Sequence, residues 1–230
     1  MRLWARRFDD RLLTWNIDHR PGREPLVDAL AFYDALRAEK GPDAPICVEG
    51  VSSGGHLALM IAAQRDVACV VVDDAVIDTL HPSAALALAV QGAFGYSEAD
   101  LAAVSPLQNA GRIVAPTLII HEQDDPLIGV DQAVRLHEQI NGSELMILPP
   151  GGDTLYVHSM VSAADFDAAA ARSAGFVDAA IARWIAARAP APAPAPQQAS
   201  PAAKVGAPVA RPKPRKRTRV TRRKRVRRDV

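Results

Sequence analysis

The 230-residue sequence has no long apolar run and only two cysteines. No apolar stretch reaches the ~18 to 20 residues that a membrane-spanning helix needs, so we expect no transmembrane segment. The opening residues, MRLWARRFDDRL, carry charge without a following apolar core, which argues against a signal peptide at this start. Two cysteines are also too few for the disulfide framework of a small secreted domain.

Both cysteines, Cys47 and Cys69, lie in apolar runs that are typical of strands. A thiol in such a run behaves as a small hydrophobic side chain, so we expect two free, buried thiols. This cysteine usage favours the cytoplasm for the chain as given. Secretion stays open if the true N-terminus lies upstream of Met1.

Acidic and aromatic residues are nearly absent from the C-terminal end. Up to residue 203 the chain has 14 basic and 25 acidic residues, net −11, whereas residues 204–230 have 13 basic and one acidic, net +12. Residues 189–210 are rich in proline and alanine, which alternate at the start of this stretch, and this composition predicts a semi-rigid linker. Residues 211–230 form a block of like charge, which predicts a disordered polybasic tail.

Twelve basic residues within 211–228 predict a salt-dependent, sequence-blind affinity for an anionic polymer such as nucleic acid, anionic lipid or a wall polymer. The tail has no aromatic residue, so stacking on bases is not expected. The alternative is a solubilising extension without a partner.

Residues 1–188 alternate strand patterns with helix patterns, which predicts an α/β fold: a parallel sheet with helices on both faces. Residues 73–111 interrupt this alternation with short helical patterns and are expected to form an insertion, the usual place of a lid or substrate pocket. The first predicted elements are a strand at RLLTWNID and a helix at REPLVDALAFYDALRAEKG. Strands follow at Ile46–Glu49 and Val67–Val72, with an apolar helix at LALMIAA between them. The remaining elements are a strand in APTLIIHEQDDPLI, a helix over Val130–Ile140, a strand over Glu144–Leu148 and a closing helix at DFDAAAARSAGFVDAAIARWIAAR.

The stretch EGVSSGGHLAL places glycines two before and two after one serine, at the junction between a strand and a helix. A serine in so sharp a turn has a strained backbone and needs small neighbours, while its Oγ projects from the carboxyl edge of the sheet. Gly50 and Gly54 around Ser52 therefore make Ser52 the candidate nucleophile. If Ser53 were the nucleophile, Val51 would occupy the crowded position. The alternative is a turn without chemistry.

These residues resemble the α/β-hydrolase superfamily, in its esterase and prolyl-oligopeptidase-like branch. The resemblance covers residues 1–188 and rests on GVSSGGHL, on PTLIIHEQDDPLIGVDQAVRLHEQI and on a histidine-bearing loop after the last strand. The order Ser, Asp, His along the chain strengthens it. The resemblance implies a serine hydrolase that attacks an ester, thioester or peptide carbonyl through an acyl-enzyme, with no cofactor and no metal.

The resemblance also assigns the other triad members. The family's H-G-x-x-D-P pattern places the acid at Asp125, with Asp124 and Asp78 as alternatives and His121 as a structural residue. The family's P-G-x-G-H-G loop has Asp153 where its histidine should stand. The histidine of this loop is His158, five residues later, so His158 is the candidate base. Without it the triad would be lost.

The oxyanion hole of this fold takes one N–H from the residue after the nucleophile, here Ser53. Its second donor comes from an upstream loop with an H-G-G type motif, which the residues before Arg11 do not contain. By resemblance a central strand is missing too. We therefore expect Met1 to be an internal methionine of a longer protein; the alternative is a sheet that closes up without this loop. A competing function is a catalytically degenerate hydrolase fold that binds polyanions.

Overall fold

The computed structural model of the protein describes residues 25–81, 98–150 and 163–189. All of them belong to the first of the chain's two units, Met1–Pro190, and the second unit is Ala191–Val230. The helices are α1 (Pro25–Lys40), α2 (Ser53–Ala62), α3 (Glu98–Ala103), α4 (Pro106–Asn109), α5 (Val130–Gln139) and α6 (Ala163–Arg188), and the strands are β1 (Cys47–Val51), β2 (Cys69–Asp73), β3 (Thr117–Glu122) and β4 (Glu144–Leu148). The predicted strand at RLLTWNID, the loop that contains His158, the linker and the tail lie outside the described residues.

The four strands form one parallel sheet in the order β1, β2, β3, β4. Val51 lies opposite Asp73 at the carboxyl end of β1 and β2, and Glu122 lies opposite Leu148 at the same end of β3 and β4. Since the strands are parallel, the loops that follow them meet at one edge of the sheet. The predicted parallel sheet is confirmed.

The apolar residues of the sheet face two separate clusters, because successive side chains of a strand point to opposite faces. One cluster joins Val70, Val72 and Ile119 to α1, α2 and α5. The other joins Val71, Leu118 and Ile120 to one face of α6, through Ala169, Phe176, Val177 and Ala180. The sheet is therefore covered by helices on both faces, as the sequence predicts.

Helix α2 follows the candidate nucleophile and is apolar almost all round. Its residues Ala58 to Ala62 are all buried. Full burial of a Leu, Ile or Met side chain stabilises a fold by about 1.5–3 kcal/mol, so α2 is held firmly beneath the sheet. The start of this helix therefore has little freedom to move relative to β1 and β2.

The C-terminal helix α6 is anchored at its last turn. The Trp184 indole N–H donates to the Asp43 carbonyl at 2.8 Å. The Arg188 guanidinium lies 3.3 Å from the centre of the Trp184 ring and bonds Asp66 at 2.9 Å.

Within the described part of the chain, no helix combines the length and apolar character that a membrane crossing requires.

Cys47 and Cys69 form a disulfide, so the expectation of two free thiols is wrong. The two residues are direct neighbours in the register of β1 and β2, with their Cα atoms 4.6 Å apart. Composition and local pattern could not reveal this pair, because the pairing depends on which residues of two strands lie side by side.

Reducing the Cys47–Cys69 disulfide should lower the free energy of unfolding by about 3 kcal/mol, because the bond closes a loop in the unfolded chain. Its sequence separation of 22 residues sets that estimate. Urea unfolding of the full chain with and without a reductant measures the difference. The double variant Cys47→Ser, Cys69→Ser is the control, whose stability should not respond to reductant. Two reactive thiols in the denatured, unreduced protein would contradict the disulfide.

Candidate active site

Ser52 is the single residue between the end of β1 at Val51 and the start of α2 at Ser53. Its backbone has φ 54° and ψ −121°. A positive φ in a residue other than glycine is uncommon and strained, and the described residues contain one other case, Asp74. The predicted sharp strand-to-helix turn is therefore present at Ser52.

Three backbone hydrogen bonds hold this turn. The Ser52 N–H donates to the Asp73 carbonyl at 2.9 Å, which ties the turn to the end of β2. The Ser52 carbonyl accepts from the N–H groups of His56, at 3.1 Å, and Val76, at 3.3 Å. A serine before a helix ordinarily caps it through its side chain, but Ser52 makes no such bond. The Ser52 hydroxyl therefore does not cap helix α2.

Gly50 is the glycine that the turn requires most. A Cβ at Gly50 would lie 2.2 Å from the backbone C and O atoms of Gly54. A Cβ at Gly55 would lie 2.6 Å from the Ala75 Cβ, whereas one at Gly54 meets no described atom within 4 Å. The close approach of α2 to β1 thus depends on Gly50, and its close approach to the segment after β2 depends on Gly55. The second glycine of the G-x-S-x-G pattern is not itself needed for that contact.

The three candidate acids have different surroundings. Asp125 is buried in the loop after β3, and its Oδ1 accepts from the N–H groups of Leu127, at 2.8 Å, and Ile128, at 3.1 Å. Asp124 is exposed. Asp78 is fully buried after β2.

Asp78 is bound to a neighbouring helix. Its Oδ2 accepts from Arg135 of α5 at 2.8 Å and contacts the His81 ring at 3.1 Å. Burial raises the pKa of the Asp78 carboxyl, but the hydrogen bonds from Arg135, His81 and two backbone amides outweigh burial and leave that pKa below its usual value. These contacts favour an ion-paired structural role for Asp78.

His56 lies one turn into α2 and links this helix to the residue that follows α3. Its Nε2 lies 2.7 Å from the Val104 carbonyl, which can only accept, so Nε2 is the donor. Desolvation lowers the pKa of the His56 imidazole, although the bond to Val104 opposes that shift. His56 thereby fixes the segment after α3 against the helix that follows Ser52.

His121 is fully buried at the end of β3, as expected of a structural residue. Asp74, His121 and Asp125 each offer one ligand atom within 4.8 Å of the others, a grouping that could hold a metal ion. Protein groups already engage some of the possible ligand atoms: Nε2 of His121 bonds the Ile128 carbonyl, and Oδ1 of Asp74 accepts from the Glu122 N–H. We assign no metal to the grouping.

The structure brings the turn at Ser52 and the loop of Asp125 to the same edge of the sheet, because they follow β1 and β3 of one parallel sheet. Ser53 is the first residue of α2, so its N–H has no partner within the helix. His158 and Asp153 lie outside the described residues. The position of the base relative to Ser52 therefore stays a prediction.

Sequence reasoning missed three polar residues that build this edge: Asp74, His56 and Gln132. Gln132 of α5 is buried, and its Oε1 accepts from the N–H groups of Ile77 and Asp78. A signal for Asp74 exists in the sequence, since two aspartates directly follow the apolar run VACVVV. His56 and Gln132 lie in helical patterns, where nothing local marks a bond to a distant carbonyl or amide.

The sequence profile of the prolyl oligopeptidase family matches residues 12–148, more than half of the chain. The chain belongs to the prolyl oligopeptidase family. The matched range contains Ser52 and Asp125 and ends before His158. A search of curated protein sequences with this chain finds no match.

Solved structures similar to this family member share its fold. A puromycin-hydrolyzing peptidase of Mycobacterium tuberculosis is 20% identical with a TM-score of 0.58, over 68% of this chain and 25% of that one. A monoacylglycerol lipase of Paleococcus ferrophilus is 16% identical with a TM-score of 0.51, over 70% and 76%. An acetyl ester-xyloside bifunctional hydrolase of Caldicellulosiruptor lactoaceticus is 21% identical with a TM-score of 0.52, over 67% and 65%. The α/β-hydrolase fold is thus confirmed, and this chain spans about a quarter of the length of the puromycin-hydrolyzing peptidase.

Gly50→Ala should destabilise the fold by about 3 kcal/mol or more, because its Cβ would overlap the backbone of Gly54 and force β1 away from α2. Gly54→Ala is the matched control and should be neutral or slightly stabilising, since alanine has the higher helix propensity. Urea unfolding of both variants measures the two effects. Equal losses would show that the close approach at Gly50 does not limit this turn.

Proposed function

We propose that the chain is the nucleophile-bearing part of a serine hydrolase that acts on an ester, thioester or peptide carbonyl. The observation that carries the proposal is the backbone of Ser52. Its positive φ at the strand-to-helix junction, together with a hydroxyl that does not cap α2, is the arrangement of a nucleophile elbow. Strain of this kind costs about 1–3 kcal/mol and clusters at functional sites.

In the proposed reaction the Ser52 Oγ attacks the substrate carbonyl while His158 accepts the hydroxyl proton. The tetrahedral intermediate collapses to an acyl-enzyme, and His158 returns the proton to the leaving alcohol, thiol or amine. Water, deprotonated by His158, then releases the acid and regenerates Ser52. Asp125 accepts the second N–H of His158 and stabilises the imidazolium.

The contacts of Asp125 support its role as the acid. The carboxylate is buried, and two backbone N–H groups fix its Oδ1, so its orientation is set before any histidine approaches. Asp124 next to it is exposed, and Asp78 is paired with Arg135. Asp125 is therefore preferred to either alternative.

The N-terminus of α2 supports the role of Ser53. The first N–H groups of a helix have no intrahelical partner and carry a partial positive charge, which suits a developing oxyanion. The first turn of α2 has no acidic residue, so no side-chain charge opposes an anion there. The second oxyanion donor is assigned to no described residue.

The solved structures of similar fold are named for a peptidase, a lipase and an acetyl ester hydrolase. What these reactions share is attack on a carboxylic acyl carbon. We therefore propose a small peptide or ester as the substrate. A triad of this type needs no metal and no cofactor.

Ser52→Ala should lower hydrolysis of a short p-nitrophenyl ester by more than about 1,000-fold, because members of a triad act as a unit. Ser53→Ala is the matched control and should retain turnover within about threefold, since its role lies in the backbone N–H. Initial rates of the full chain and both variants measure the difference. Equal losses would overturn the assignment of Ser52.

His158→Ala belongs to the same series and should lose as much turnover as Ser52→Ala. Activity that survives the loss of His158 would remove it from the triad.

A second candidate function rests on the charge of residues 211–228, which lie outside the described residues. Their twelve basic residues follow a body of net charge −11. An acidic body repels a polyanion, so binding would depend on the tail alone. We propose an anionic polymer as the tail's partner, whether or not the hydrolase site is active.

Affinity of the full chain for a labelled DNA duplex should fall steeply with salt, with a log-log slope of about −0.9 for each phosphate contacted. Deleting residues 204–230 should abolish the binding and leave the melting temperature and ester turnover unchanged. Titrations at several salt concentrations and thermal unfolding of both versions test this. A truncated protein that still binds the duplex, or that melts much lower, would contradict the proposal.

A further inference from the structure

His121 is a buried histidine whose hydrogen bond crosses the loop of the proposed acid. It is the fifth residue of β3, its side chain is fully buried, and its Nε2 lies 2.8 Å from the Ile128 carbonyl. A carbonyl only accepts, so Nε2 carries a proton and donates it to this bond. The bond therefore fastens the far end of the loop to the end of the strand.

Ile128 is held from both of its backbone groups. Its carbonyl accepts from His121, and its N–H donates to Oδ1 of Asp125 at 3.1 Å. Leu127 donates to the same oxygen at 2.8 Å. His121 Nε2 lies 3.9 Å from Asp125 Oδ2, beyond hydrogen-bond distance, so the histidine acts on Asp125 through Ile128.

The other side of the His121 ring faces the end of β2. Its Nδ1 lies 3.8 Å from Oδ1 of Asp74, which accepts from the Glu122 N–H at 2.9 Å. The Asp74 N–H in turn donates to the Ile120 carbonyl at 3.1 Å. Asp74 has φ 43°, so a strained residue closes the pocket of the ring on this side. The ring thus fills the space between the end of β2 and the loop of Asp125.

We propose that His121 is a positioning residue for the hydrolase reaction: its Nε2–H holds the Ile128 carbonyl and thereby fixes the orientation of the Asp125 carboxylate, the acid of the proposed triad. The inference rests on the proposed function, in which Asp125 is the acid. His121 is not a catalytic residue, because it is fully buried and Nε2 is engaged by a backbone carbonyl. Small displacements of a triad member are costly, since a shift of about 1 Å can lower the rate about 100-fold.

Two substitutions of His121 test separately whether a donor is needed at the position of Nε2. In His121→Gln the side-chain amide reaches the position of Nε2 and can still donate to Ile128. In His121→Asn the shorter side chain places its amide near the position of Nδ1, so the bond to Ile128 is lost. The glutamine variant should retain kcat within about threefold, and the asparagine variant should lose about 10- to 100-fold in kcat with KM unchanged. A merely structural role would not divide the two variants in this way.

A second measurement does not need activity. Hydrogen exchange of the Leu127 and Ile128 amides reports their bonds to Asp125, and we expect protection to be retained in His121→Gln and lost in His121→Asn. Equal kcat and equal protection in both variants would overturn the proposal. If His121→Asn does not fold, loss of protection at these amides in His121→Gln would overturn it equally.

Asp125→Asn separates this inference from the proposed function. An Asp125→Asn variant with the turnover of the original chain would refute the acid assignment, and with it the positioning role. If Asp125→Asn loses turnover while His121→Asn keeps it, the hydrolase assignment stands and the role of His121 falls.

Discussion

The strained backbone of Ser52 is the constraint that β1, β2 and α2 meet around. A residue with positive φ persists only where its surroundings over-determine it. Here the Ser52 N–H donates to the carbonyl of Asp73 at the end of β2, and the Ser52 carbonyl accepts from the N–H groups of His56 in α2 and Val76 after β2. Gly50 allows the backbone of α2 to approach β1, and the burial of α2 keeps it there. The hydrophobic cluster that contains α2 thus supports the strained backbone of Ser52 at the carboxyl edge of the sheet.

That edge also collects the polar groups of the fold. The apolar strands β2 and β3 end in Asp73 and Glu122, and the loops that follow contribute Asp74 and Asp125. Burying a polar group is costly unless it is hydrogen-bonded. The bonds from Leu127 and Ile128 to Asp125, and from Glu122 to Asp74, meet that requirement. The carboxylates of Asp74 and Asp125 are therefore fixed by backbone amides of β3 and of the loop that follows it.

Much of this fold could be predicted from the sequence. The hydrophobic periodicity and the composition of the sequence predicted β4 with its observed bounds and α5 to within one residue of its observed end. They also placed Ser52 at the end of a strand. The disulfide could not be predicted, because the pairing of Cys47 with Cys69 depends on strand register. The need for Gly55 rather than Gly54 depends on the path of Ala75, which no local pattern encodes. The bond from His121 likewise depends on a carbonyl seven residues away. The turn at Ser52 was readable from the sequence, whereas the contacts that hold Asp125 required the fold.

Covalent labelling of the full chain by a fluorophosphonate tests most directly whether Ser52 is the nucleophile, because this reagent reacts with an activated serine hydroxyl. Intact mass and peptide mapping of the native and urea-unfolded protein identify the modified residue. We expect one adduct per native chain, on Ser52, and none on the unfolded chain. An adduct on Ser53, or a native chain without any adduct, would contradict it.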